Sequence, residues 1–188
     1  MREGFHRTSM QRICAEAGIS AGALYLYFPS KAALIAGLIE RDRQELAQGF
    51  AAVEAAPDPL RALEALARHH FVEEPAAGAA LAVQIWAEAT LDPEVARLCT
   101  TLEEEARGHL LQLMSRLPGA GSRFDPGRLA ELALTIADGL FKQRALQPGL
   151  DPVPGCEMLI ALIREAIAGR LPLVAPAATT AIPKEHAA

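Results

Sequence analysis

Residues 9–34, SMQRICAEAGISAGALYLYFPSKAAL, hold two short apolar helical patterns broken by one glycine. Met10, Ile13, Cys14 and Ala17 recur at i, i+3, i+4 and i+7, the spacing of a helix buried on one side. Thr8 and Ser9 stand before it as N-caps, whose hydroxyls satisfy amides that a helix start leaves open. Gly18 can take the left-handed conformation that ends a helix, and Ile19 is expected to plug the turn. Ser20 caps a second helix running to about Tyr27, where Pro29 halts it. Ser30 caps a third and longer helix, in which Ala33, Leu34, Gly37 and Leu38 lead toward Phe50.

Two helices meeting at a glycine turn can make a helix-turn-helix, whose second helix enters the major groove while the first crosses the backbone. Small Cys14 suits a close crossing, and Ile13, Ile19, Leu24 and Phe28 are expected to form the core between the helices. Ser20, Ala21, Gly22, Tyr25 and Leu26 then lie on the exposed side, where small residues let the helix approach base edges. The hydroxyls of Thr8, Ser9, Tyr25 and Tyr27 can reach phosphate oxygens, and Lys31 adds a charge in the first turn of the next helix. Both of the chain's tyrosines fall in this stretch, which phosphate contact explains better than core packing does. Spacing alone equally fits an ordinary αα-hairpin with half-buried tyrosines.

The rest of the chain bounds the reading. With 188 residues and 51% hydrophobic side chains it can bury a core, and its alanine, leucine and arginine content with few β-branched or aromatic residues favours an all-α fold. Cys14, Cys99 and Cys156 are odd in number and far apart, which argues against a disulfide framework or a thiolate zinc site. No uncharged run reaches about 18 residues, and Met-Arg-Glu-Gly-Phe lacks the apolar core of a secretion signal, so a cytoplasmic protein with no membrane partner is expected. The net charge of −5 is unevenly spread: residues 1–39 carry +2 and residues 51–188 carry −6. A mildly basic front on an acidic body is compatible with a small DNA-contacting head.

The tract AAPDP at 55–59 breaks the helical pattern between head and body. Helical stretches follow at about 59–73, 76–91, 93–117, 126–146 and 154–170, separated by proline and glycine punctuation. Three domains are expected: a helix-turn-helix head at 1–50, a helical body at 51–170, and an Ala, Pro and Thr rich tail at 171–188. His69 and His70 stand four residues before Glu73 and Glu74, but only one pair can face a given site, so a solvated helix end is expected and no metal. No Ser/His/Asp or HExxH grouping stands out, so no catalytic residues and no cofactor are assigned, and the chain is not read as an enzyme.

The run GFHRTSMQRICAEAGISAGALYLYFPSKAALI resembles the DNA-binding head of the tetracycline-repressor (TetR) family, with its TSM, AEAGIS, GALY, YFPSK and L elements in register over residues 4–39. The resemblance implies that Ser20, Ala21, Gly22, Tyr25, Leu26 and Tyr27 face DNA and that Thr8, Ser9 and Lys31 hold phosphates. Ala21 stands where the family often has Lys, and Leu26 where it often has His. The family's first helix normally precedes the Gly-Phe pair, and only three residues precede it here, so the head looks truncated and Met10, Ile13 and Leu34 are expected to be partly exposed.

The resemblance further implies an apolar effector cavity in the body, for which Phe71, Leu81, Gln84, Ile85, Trp86, Glu88, Leu110, Leu111, Met114 and Phe141 are the candidate lining residues. Helices at about 93–117 and 126–146 are expected to make a two-fold dimer contact through Leu98, Leu102, Leu129, Leu132, Ala133, Ile136, Ala137, Leu140 and Phe141, with Gly139 and Ala137 allowing close approach. The expected function is a ligand-responsive transcriptional regulator, a repressor that binds a palindromic double-stranded DNA operator as a homodimer and is released by a small, partly hydrophobic effector. The alternative is an all-α small-molecule-binding or interaction protein that lacks DNA activity because its head is incomplete.

Overall fold

The computed structural model describes residues 8–121 and 123–171, so the tail expected at 171–188 lies almost wholly outside the described residues. Eight α-helices follow one another: α1 Met10–Ala17, α2 Ala21–Tyr27, α3 Lys31–Ala55, α4 Pro59–Arg68, α5 Ala76–Ala89, α6 Pro93–Arg116, α7 Pro126–Leu146 and α8 Val153–Ile167. A single wide π turn, His69–Glu73, extends α4 toward Pro75. Among the described residues there is no strand, and no single helix is long and apolar enough to cross a membrane.

The helix starts follow from local chemistry. Ser9, Ser20 and Ser30 sit in extended backbone conformation, and each hydroxyl accepts the amide three residues on, Arg12 at 3.3 Å, Ala23 at 3.1 Å and Ala33 at 3.0 Å. Asp58, Asp92 and Asp125 do the same for α4, α6 and α7, each followed by a proline whose missing N–H costs nothing in the first turn. At the end of α1, Gly18 has φ +66°; its amide bonds the Ala15 carbonyl, and the Ile19 amide bonds the Cys14 carbonyl at 3.1 Å. This paired closure reverses the chain within two residues and is open to glycine because a Cβ is strained at that φ.

The head buries a small core of Met10, Cys14 and Leu24, with Ile13, Phe28 and Leu34 packed around it. Two expectations are corrected here. Ile19 does not plug the turn, because the tight reversal at Gly18 turns it outward and leaves it 44% exposed. Met10 is not exposed, being closed over by α2 and the start of α3, although Ile13 and Leu34 are half-buried.

α3 then runs unbroken through the 50/51 boundary expected from sequence, so one helix belongs to both head and body. It meets α2 at 62°, and Gly37 is what lets the head seat on it: a Cβ at that position would lie 2.7 Å from the Phe28 ring. In the body, Phe50, Val53, Leu110, Leu113, Met114, Phe124 and Leu129 belong to one large core that α7 and α8 complete. A second cluster of Ile35, Ile39, Ile85 and Val95 fastens the first half of α3 to α5 and α6. Gly18→Ala should cost about 1 kcal/mol of stability through left-handed strain alone, read as a lowered urea midpoint with unchanged slope.

Candidate functional site

The outer face of the head is built by α2. Ser20, Ala21 and Gly22 are exposed, so its N-terminal turn carries no bulky group. Farther along, Tyr25 is 45% exposed, Leu26 78% and Tyr27 76%, while Leu24 alone is sealed inward. Large apolar and phenolic side chains held in water on one short helix are a cost to the isolated chain, and such a face marks a contact surface. Ser9 is exposed and Thr8 half-buried. Lys31, expected at a phosphate, lies in the first turn of α3 with its ammonium 3.7 Å from Glu88 of α5, both side chains mostly buried. This cation of the head is therefore tied to the body.

The body contains a cavity of about 460 Å³ among α3 to α8. Phe141 of α7 is the hub of its aromatic wall, with the rings of His70, Phe71 and Trp86 meeting it near-perpendicular at centroid distances of 5.1, 5.4 and 6.0 Å. The π turn explains how His70 and Phe71 both reach this wall, since the widened turn rotates neighbouring residues relative to regular helix. Ile39, Asp42, Leu46 and Phe50 of α3 also line it, so the helix that begins in the head walls the cavity.

Of the ten residues expected to line a cavity, the structure brings Phe71, Leu81, Ile85, Trp86, Leu110 and Phe141 together in it. Four are corrected. Met114 is fully buried in the main core and Leu111 points outward at 42% exposure, because α6 turns only one face to the cavity. Glu88 is spent on Lys31. Gln84 stays outside the wall, with its side-chain carbonyl oxygen sealed and without a hydrogen-bond donor.

Sequence reasoning missed Asp42, His70, Glu74, Cys99, Glu103 and Asp138, which also line the cavity. The i, i+3, i+7, i+11 run of Ile39, Asp42, Leu46 and Phe50 was the available signal for the α3 wall. His70 and Glu74, read as a solvated helix end, instead lie in the wall with the imidazole Nδ1 3.4 Å from the carboxylate. His69 and Glu73 pair at 3.2 Å on the outside. Among the described residues no group of three His, Cys, Asp or Glu could hold a metal ion. Burial raises the Asp138 carboxyl above its ordinary value, reinforced by the negative charge of Glu103 and opposed by Arg107. Cys99 is likewise raised, chiefly by burial, which disfavours its thiolate.

Most of the apolar residues expected at a dimer face serve the chain's own interior, with Leu132 and Gly139 outside that core. Leu129, Ala133 and Leu140 are buried in the chain's own core, with Ile136, Ala137 and Phe141 packed against it. Leu98 joins the α3–α5–α6 cluster and Leu102 lines the cavity. What α7, α8 and the loop between them leave open is Leu146, Leu150 and Met158, at 67%, 47% and 65% exposure, and a Gly139 whose added Cβ would meet nothing.

A glycine-turned helix pair with an exposed second helix, mounted on a helical body with an internal cavity, defines a helix-turn-helix regulator. Comparison with known proteins narrows this. The profile of bacterial regulatory proteins of the tetR family matches residues 1–38, and that of the BetI-type transcriptional repressor C-terminal domain matches residues 59–172. The chain belongs to the TetR family of bacterial regulatory proteins. It is 33% identical over 106 residues to the HTH-type transcriptional regulator UidR of Escherichia coli K12, a match covering 50% of this chain and 48% of that protein. It thus spans about half the length of the curated relatives it matches. Among solved structures, Salmonella enterica GusR superposes with a TM-score of 0.67 at 26% identity, covering 88% of each chain. A transcriptional regulator from Rhodococcus sp. Rha1 superposes at 0.71 with 22% identity, over 90% of this chain and 91% of that one, and supports the fold. These relatives are regulators, not enzymes.

Phe141→Ala removes the ring on which three others rest. It should cost about 3 kcal/mol in urea unfolding and change the emission of Trp86, the chain's single tryptophan.

Proposed function

We propose that this protein is a ligand-responsive transcriptional repressor that binds a palindromic operator as a homodimer and is released by a small, partly hydrophobic effector in the cytoplasm. The observation that carries the reading is the outward face of α2, where Leu26 and Tyr27 stand 78% and 76% exposed beyond a first turn of Ser20, Ala21 and Gly22. Small residues admit the helix to the groove, the Tyr25 and Tyr27 hydroxyls and the Ser9 and Thr8 side chains meet phosphates, and Leu26 offers apolar contact to base edges. Residues 1–50 act as the head and 51–170 as the effector and dimer domain, with α3 shared between them.

Coupling runs through that shared helix. α3 carries Lys31 at its head end and Ile39 to Phe50 along the cavity, and Glu88, two residues from cavity-lining Trp86, holds the Lys31 ammonium. An effector that shifts α5 moves Glu88 and with it the start of α3, so effector and operator select different placements of the heads. The dimer face is the outward side of α7 and α8 and their connecting loop, where Gly139, Leu146, Leu150 and Met158 are left open.

In gel shifts with the DNA upstream of the chain's own coding region, Tyr25→Ala and Lys31→Ala should each weaken binding by about tenfold. Retained affinity in both variants would overturn the assigned contacts. Glu88→Gln removes the carboxylate that holds Lys31 and should change DNA affinity several-fold without changing the fold seen by circular dichroism. Met158→Glu places a charge in the dimer face and should yield monomers in sedimentation analysis, with operator binding lost.

A further inference from the structure

We propose that the effector is an organic cation with an aromatic or bulky apolar body; the inference rests on the effector-cavity reading above and adds the sign of the ligand's charge. The cavity makes the site, and its wall chemistry sets what fits. Its volume of about 460 Å³ suits a compact organic molecule, and the aromatic hub of Phe141 with Trp86, Phe71 and His70 presents ring surfaces to it. Ring faces carry negative potential and attract cations, the more so where water is excluded.

The charged groups around this wall are strongly unequal. Asp42, Glu45, Glu64, Glu74, Glu103 and Asp138 line the cavity, against Arg41 and His70. Arg41 is not open to an anion, because Asp42 holds it at 2.6 Å and Glu45 stands at 3.7 Å. Two of the carboxylates are matched from outside, Glu64 by Arg164 at 2.6 Å and Glu103 by Arg107 at 2.8 Å, and Glu74 faces His70. Among the described residues Asp138 forms no ion pair, although Arg107 lies near enough to favour its charge. It stands one helical turn from Phe141, and burial and Glu103 together raise its carboxyl. With six acidic side chains on the wall, an entering cation meets attraction, and an anionic ligand would meet repulsion with no available guanidinium. A cleft of one sign with low-dielectric walls also concentrates the potential that a ligand meets on entry.

The test uses two probes of nearly identical shape and opposite charge, tetraphenylphosphonium and tetraphenylborate, with neutral Nile red as a third. Trp86 lies in the wall and its quenching reports occupancy. Tetraphenylphosphonium should bind at least about tenfold tighter than tetraphenylborate, from ring attraction and the carboxylates together. Asp138→Asn, which lies on the cavity wall outside the packed apolar core, should reduce that preference several-fold while Nile red binding stays as it was. Equal or reversed preference, with Nile red still bound, overturns the cationic class and leaves the effector cavity standing. Failure of all three probes to quench Trp86 overturns the cavity reading and this inference with it.

Discussion

The seating of Phe28 against Gly37 is the contact on which the arrangement of the molecule depends. Among the described residues the head's own cluster seals three apolar side chains, Met10, Cys14 and Leu24, too few to orient it. Its position is set instead by the ring of Phe28 lying where any Cβ at residue 37 would intrude, with Leu34 closing over Met10, Cys14 and Leu24 one turn earlier. The rest of α3 is then committed: Ile35 and Ile39 are fastened to Ile85 and Val95, and Phe50 and Val53 enter the main core. α3 is thus anchored at both ends.

The cavity wall is made of rings and branched chains that brace one another. Each near-perpendicular ring contact is favourable, so the aromatic wall holds its own arrangement. Carboxylates gather around it for a related reason. Several of the helices that enclose it bring their polar margins to the opening, and on an acidic body those margins carry Asp and Glu. The Lys31–Glu88 pair joins this region to the head at a place shielded from solvent, where an ion pair is screened less than on the surface.

Much of the site was legible in the sequence wherever the interaction is local. Serine and aspartate caps act on amides two or three residues away, so Ser9, Ser20, Ser30, Asp58, Asp92 and Asp125 announce their helices without reference to the rest of the chain. The outward side of α2 could be read the same way, because with Leu24 inward the positions of Tyr25, Leu26 and Tyr27 follow from helical spacing. Apolar identity was not enough for the body. Met114 and Leu110 lie on one helix four residues apart, and only Leu110 reaches the cavity; Leu129, Ala133 and Leu140 look like a dimer stripe and are core.

The sequence by itself determined the all-helical class, the placement of helix starts and stops, the left-handed turn at Gly18 and the family of the head, since each depends on contacts within about one helical turn or on a motif in register. Only the tertiary structure decided the rotation of α6, α7 and α8 about their axes, the capture of Lys31 by Glu88, and the assembly of His70, Glu103 and Asp138 around one cavity. Those facts arise from side chains far apart in the chain meeting across packed helices, and a pattern written along one dimension does not carry the angle at which two helices cross.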